Sequence, residues 1–181
     1  AGAYTVIARG EPEHGIKVVG GSEHRPEAEA QWIIDPLDGS SHFGRNIPLF
    51  PSTIAFQEQG QTVLGAVNSA QTKQLFFAET GQRAYLNGLE IKVSDQSDLG
   101  QAFVFVELPE QKFINQPDNT AKFDQHLAVL SELIKNTAQV ETFRIGSLGQ
   151  CLVAAGAFDA YIDLSGSSLS LAQLASTLIL S

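Results

Sequence analysis

The sequence predicts an α+β fold: an antiparallel sheet lobe over residues 1–98, then a C-terminally incomplete α/β lobe over residues 99–181. Three observations carry this expectation. Short β-type runs crowd the first half with turn residues between them. After Ser94 the texture changes, and strand-type runs alternate with helix-type runs. The composition is that of an ordinary globular chain, with 43% apolar and 17% charged residues among 181, and a chain of this size buries roughly 70% of its unfolded surface.

The elements follow in order. Trp32-Ile33-Ile34 is an apolar strand that ends at an Asp-Pro. Thr53–Phe56, Val63–Val67 and Gln74–Ala78 follow at short spacing, punctuated by Gln59-Gly60, Thr80-Gly81 and Asn87-Gly88. Asn-Gly is the strongest short hairpin signal, and the short connections leave no room for crossover helices, so the strands should pair mainly antiparallel. Beyond the boundary expected between Ser94 and Gly100, Ala102–Val106 reads as a buried strand. Phe123, Leu127, Leu130 and Ile134 recur at helical spacing, and Val140–Phe143 is a further strand candidate. A helix from Ser147 carries Leu148, Cys151, Leu152 and Ala155 on one face; Ala160–Ile162 is a strand, and Leu171, Leu174, Ala175 and Leu178 mark a last helix. Alternating strands and helices imply layers with parallel pairing.

Charge and cysteine content exclude several classes. Twenty acidic residues against eleven basic ones give a net charge of −9, which argues against a nucleic-acid or anionic-membrane surface and suits a site that gathers cations. The single Cys151 excludes an internal disulfide and a cysteine-based zinc cluster. With no apolar run of membrane-helix length and no leader-like opening, a reduced, cytoplasmic setting is expected. No methionine occurs, and Ala175–Ser181 stops inside an apolar periodic segment. The chain is therefore expected to be a piece of a longer protein, cut at both ends.

The sharpest chemical feature is Trp32–Ser41, where an apolar strand delivers Asp35 and Asp38 and then a Gly39-Ser40-Ser41 that can open a helix. Magnesium takes one or two carboxylates together with water and substrate phosphate. Asp35, Asp38 and the carbonyl of Leu37 offer such ligands, and the N–H groups of Gly39, Ser40 and Ser41 would face an anion at a helix start. That combination suggests metal-assisted phosphoester hydrolysis. Asp-Pro-Leu-Asp-Gly also fits a plain turn with Pro at its second position, so spacing alone leaves both readings open. His14, His24, His42 and His126 lack ligand spacing and read as surface or packing residues; Cys151 reads as core.

Taken together, the motifs resemble the inositol monophosphatase family. Trp32–Phe43, WIIDPLDGSSHF, is similar to its first signature, W-I-I-D-P-[IL]-D-G-T-T-N-F. Ser52–Ala55, Gly65–Val67, Leu75–Ala78, Gly81–Gly88 and Ile91–Ser94 follow in the family's order, as do Arg144–Ser147 and Val153–Tyr161. The resemblance runs from about His14 to Ser181. It implies the layered α-β-α-β-α sandwich shared with fructose-1,6-bisphosphatase, with the opening helices and final strands absent here. It also implies Mg²⁺-dependent hydrolysis of a small phosphate monoester, an inositol or sugar phosphate, by in-line attack of an activated water.

By position, the resemblance makes Asp35, Leu37 and Asp38 metal ligands, with Asp38 and Ser40 catalytic. Ser40 stands where the family's Thr helps orient the attacking water. Glu23 becomes a further metal ligand if Ser22-Glu23 is aligned with the family's upstream acidic element; a register shift of two residues removes it. Gly39, Ser40, Ser41, Gly146, Ser147 and Asp163 become substrate-binding residues. Gly146-Ser147 fits a helix N-cap equally well, and Asp163 a charged strand end. The chain departs from the family at the second signature, W-D-x-A-[AG], whose Asp supplies a third metal carboxylate. Ser170 stands there by ungapped count and Gln173 by apolar pattern. That departure opens an alternative: a non-catalytic homologue that binds a phosphorylated ligand or a protein partner without turnover. Dimers are common in the family; the sequence itself leaves the oligomeric state open.

Overall fold

The computed structural model describes residues 17–20, 30–109, 111–115, 119–166 and 172–181. Strands β1 (Lys17–Gly20), β2 (Ala30–Asp35), β3 (Ser52–Glu58), β4 (Gln61–Ser69), β5 (Gln74–Glu79), β6 (Tyr85–Leu86) and β7 (Leu89–Glu90) form one sheet in sequential order. From β2 onward every pairing is antiparallel, as the short connections require. At the edge, β1 pairs with β2 in parallel, so the sheet is mixed.

Two tight turns carry the geometry their sequences demand. Gln59-Gly60, between β3 and β4, and Asn87-Gly88, between β6 and β7, place both central residues at positive φ, the type I′ arrangement whose twist matches the flanking strands. Register then fixes the faces. Asp35 lies beside Thr53 and Thr53 beside Val67, while Ile33 lies beside Ala55 and Ala55 beside Gly65. These positions, with Phe76 and Ala78 of β5, share one face of the sheet. Their buried side chains belong to the main core.

A second sheet, ordered β10–β8–β9 and wholly parallel, comprises β8 (Phe103–Glu107), β9 (Gln139–Glu141) and β10 (Ala160–Asp163). Helix α3 (Thr120–Asn136) joins β8 to β9, after the short helices α1 (Ser40–Phe43) and α2 (Gln111–Ile114). Helix α4 (Gly146–Ala154) joins β9 to β10, and α5 (Gln173–Leu180) ends the chain. β8 alternates as a doubly covered strand must. Val104 and Val106 meet Leu130 and Leu133 of α3, whereas Phe105 lies against Gly149 of α4, where an added Cβ would come within 2.6 Å of the ring. On α3, Leu127 and Ile134 are exposed rather than inward. Phe123, His126, Leu130 and Leu133 form the sheltered stripe, at steps of three and four residues.

Helices α4 and α5 cover the inner face of the first sheet. Ile145, Leu148, Cys151, Ala154, Ala175 and Ile179 share its core. Sheet, helix pair, sheet and α3 thus stack as successive layers, an α+β sandwich. At Gly65 the backbones of β4 and α5 meet directly, since an added Cβ would lie 2.6 Å from the Ala175 carbonyl oxygen. The two halves are also tied by Asp159, whose carboxylate accepts hydrogen bonds from Ser94 Oγ (2.5 Å) and the Phe103 N–H (2.7 Å). Among the described residues, no helix is long and apolar enough to cross a membrane.

Candidate active site

The site starts where β2 runs out. Asp35, its last residue, turns its carboxylate onto the chain ahead, and Oδ1 accepts the Leu37 N–H at 3.0 Å. Ser52 Oγ donates to the Pro36 carbonyl at 2.8 Å, and the Asp38 N–H donates to the Pro51 carbonyl at 2.9 Å. These bonds anchor the loop to the start of β3, so Asp-Pro-Leu-Asp is both a turn and a fixed platform. Gly39 then sits at φ +82°, and a Cβ there would press to 2.9 Å from the Leu49 carbonyl oxygen. Only glycine tolerates both conditions. Helix α1 opens immediately after it, its first turn closed by His42 and Phe43 N–H groups on the Gly39 carbonyl.

Asp38 is the focus. Ser147, in the first turn of α4, donates from Oγ to Asp38 Oδ2, linking residues 109 positions apart. Burial pushes the Asp38 carboxyl above its ordinary value, and the charge of Asp35 adds to this against the opposing hydrogen bonds from Ser147 and Gly39. Two carboxylates whose charges repel across one loop fit a divalent cation, which would offset that repulsion. Asp35, Asp38 and the Leu37 carbonyl are the groups here that could hold Mg²⁺.

A cavity of about 560 Å³ opens over this platform. Asp35, the run Leu37–His42, Gln111 and Arg144 line it. The sequence assigns neither of the last two to the site and reads His42 as a surface or packing residue. Gln111 opens α2 and carries no sequence signal. Arg144 stands inside the quoted Arg144–Ser147 motif, and its left-handed backbone (φ 56°) is the mark of a position held by its surroundings.

The other predicted residues fall as follows. Gly146 packs against Gln173 and Tyr161, leaving no room for a Cβ, which would lie 2.7 Å from the Tyr161 hydroxyl. Gln173, the first residue of α5, donates from Nε2 to that hydroxyl at 2.7 Å. Burial pushes the Tyr161 phenol well up, and the charges of Asp163 and Glu107 add to it. Asp163 lies at the exposed end of β10, beside Glu107 of β8, with Oδ1 accepting the Ser165 N–H at 2.7 Å. It does not line the cavity. Glu23 and Ser170 lie outside the described residues.

The residue pattern of the inositol monophosphatase family matches positions 6–172. The chain belongs to that family. It is 32% identical over 154 residues to the Nus factor SuhB of Vibrio cholerae, a match covering 84% of this chain and 55% of that protein. To the Nus factor SuhB of Pasteurella multocida it is 29% identical over 160 residues, 88% of this chain and 57% of the relative. The chain thus spans little more than half the length of these curated relatives. The inositol monophosphatase structure from Anabaena superposes with a TM-score of 0.77 at 27% identity, covering 98% of this chain and 67% of the other.

Proposed function

We propose that this family member is a Mg²⁺-dependent phosphomonoesterase acting on a small polyol or sugar phosphate. One observation carries the reading: the half-buried Asp38, bonded to Ser147 and repelled by Asp35, stands just before a short helix and lines one cavity with it. Mg²⁺, when bound, supplies positive charge for the phosphate oxygens and acidifies a water for attack. Asp35, Asp38 and the Leu37 carbonyl would hold the cation, and Glu23 would add a ligand in the register that aligns Ser22-Glu23 with the family's upstream acidic element. The N–H groups of Ser40 and Ser41 would bind phosphate oxygens, whereas the Gly39 N–H already donates to the Asp38 carboxylate. Ser40 Oγ would orient the attacking water, and the Ser147 hydroxyl holds the Asp38 carboxylate in place.

The test is phosphate release from inositol 1-phosphate with Mg²⁺, comparing wild type with Asp38→Asn and Ser40→Ala. Loss of activity in Asp38→Asn and a marked drop in Ser40→Ala are expected; robust activity indifferent to both would overturn the mechanism. A second reading has its own observation. Gln173, one of the two residues at the family's third carboxylate, spends its amide on Tyr161, and the relatives above carry the name Nus factor. A phosphate-binding protein with little or no turnover would fit both facts, and the same assay run beside phosphate-binding calorimetry separates the two.

A further inference from the structure

We infer that Gln111 is a specificity-determining residue: its side-chain amide reads a hydroxyl on the alcohol part of the ester. The inference rests on the phosphomonoesterase reading and deepens it. The cavity, about 560 Å³, lies within the range of sites that enclose whole small ligands, about 300–1,000 Å³, so it has room for the alcohol as well as the phosphate. Most of its lining is already committed. In that reading Asp35, Asp38 and the Leu37 carbonyl take the cation, and the Ser40 and Ser41 N–H groups take the phosphate. The Gly39 N–H donates to Asp38, and the charge of His42 offsets part of the Asp38 charge. Arg144 has an interaction of its own. Gln111 is what remains: it lines the cavity, is exposed, and its amide has no hydrogen-bond partner among the described residues.

Its place in the fold suits the alcohol. The cation and phosphate groups come from the end of β2, the loop after it and α1, whereas Gln111 opens α2 just beyond the C-terminal end of β8. β8 is the central strand of the parallel sheet, with β9 on one side and β10 on the other. Such sheets bind ligands outside the carboxyl ends of their strands, where successive connections run in opposite directions. With its phosphate on the carboxylate loop, an ester would therefore present its alcohol to α2. Asp163, which the family likeness makes a substrate contact, ends β10 outside the cavity lining, and its Oδ1 accepts the Ser165 N–H. Gln111 follows the exit of the neighbouring strand and can take over that contact. A side-chain amide carries both donors and an acceptor, as a hydroxyl does, so the two pair in either sense. A bare hydrocarbon ring offers the amide nothing.

The experiment compares inositol 1-phosphate with cyclohexyl phosphate, the same ring and phosphate without the hydroxyls, on the wild-type chain and on Gln111→Leu and Gln111→Ala, each with Mg²⁺. Both hydrolysis and calorimetric binding are read. Wild type should prefer the inositol ester. Both variants should raise its KM and its Kd about threefold to tenfold, the scale of one neutral hydrogen bond, and leave its kcat within about twofold. For cyclohexyl phosphate the KM and Kd should stay within about twofold. Leucine is close to glutamine in size, so a loss in Gln111→Leu reports hydrogen bonding rather than bulk. Equal losses for both esters would place Gln111 on the phosphate and overturn the inference, as would no loss for either or no wild-type preference. Gln111-dependent binding of the inositol ester without hydrolysis would uphold the inference and remove the catalytic reading. Hydrolysis indifferent to Gln111 would do the reverse, and if neither ester binds the wild type both fall.

Discussion

Gly65→Ala tests how the layers are joined. The ideal Cβ at position 65 lies 2.6 Å from the Ala175 carbonyl oxygen, 2.9 Å from its Cα and 3.1 Å from its carbonyl carbon. Against an ordinary non-bonded separation of about 3.5 Å, α5 must retreat from β4 by roughly 0.9 Å. All three obstructing atoms are helix backbone, so no side chain can rotate away. Overpacking of this kind costs about 1–3 kcal/mol, and removing a glycine's unfolded-state freedom offsets about 0.5–1 kcal/mol of it. At the middle of these ranges a net loss of about 1 kcal/mol remains, equal to roughly 2–4 °C in Tm at this chain length. The displacement also reaches the site, because Gln173 stands two residues before Ala175 on the same helix and its 2.7 Å bond to Tyr161 would stretch. Urea unfolding of Gly65→Ala beside Gly44→Ala checks this. At Gly44 the same substitution meets nothing closer than 3.6 Å, and φ is an ordinary −63°. If the two variants unfold at the same midpoint, α5 does not rest on β4 as described.

Three further perturbations follow. Hydrogen bonds from Ser94, and then from the Phe103 N–H, lower the Asp159 carboxyl below its ordinary 3.8. Its contribution is therefore fully present above that value and fades as pH falls through the lowered one; Asp159→Asn should be less stable at neutral pH, with the gap narrowing in acid, as thermal scans across pH 2–7 would show. Asp35→Asn should abolish Mg²⁺ or Mn²⁺ binding in calorimetric titration, and unchanged binding would remove the cation from this platform. Gln173→Asp should raise cation affinity if the first residue of α5 reaches the site, whereas Ser170→Asp should then leave it unchanged; equal effects would refute that placement.

Much of the first sheet was legible because its determinants are local. Short apolar runs at Trp32–Ile34 and Thr53–Phe56, with Gln59-Gly60 and Asn87-Gly88 between strands, announce antiparallel pairing through short loops. The parallel partnership of β1 with β2 was not legible, since nothing in Lys17–Gly20 distinguishes an edge strand of one direction from the other. On α3 the four apolar residues at helical spacing predicted the helix but not its inward face. Leu133 and His126 turn inward while Leu127 and Ile134 stay in solvent, because the face is chosen by where β8 and β9 lie. On α5 the apolar pattern also missed two polar residues that are buried. Ser176 bonds Gln150 at 2.5 Å and Gln173 bonds Tyr161, so each satisfies a group that the layer would otherwise strand.

The candidate site divides along the same line. Asp35, Leu37, Asp38 and Gly39 could be read from one decapeptide because the strand end, the turn and the glycine at φ +82° are consecutive. Ser147 was legible only through family likeness, since its bond to Asp38 spans 109 positions. Arg144 and Gln111 carried no periodic or spacing signal, and only the packing of α4 and α2 beside the carboxylate loop brings them to the cavity. The carboxylates of the platform were thus readable locally, whereas the rest of the cavity lining arrives through tertiary contacts. Ile145 and Ser147 hold the segment between β9 and α4 against Gly39 and Asp38, so that segment and the carboxylate loop keep their places together.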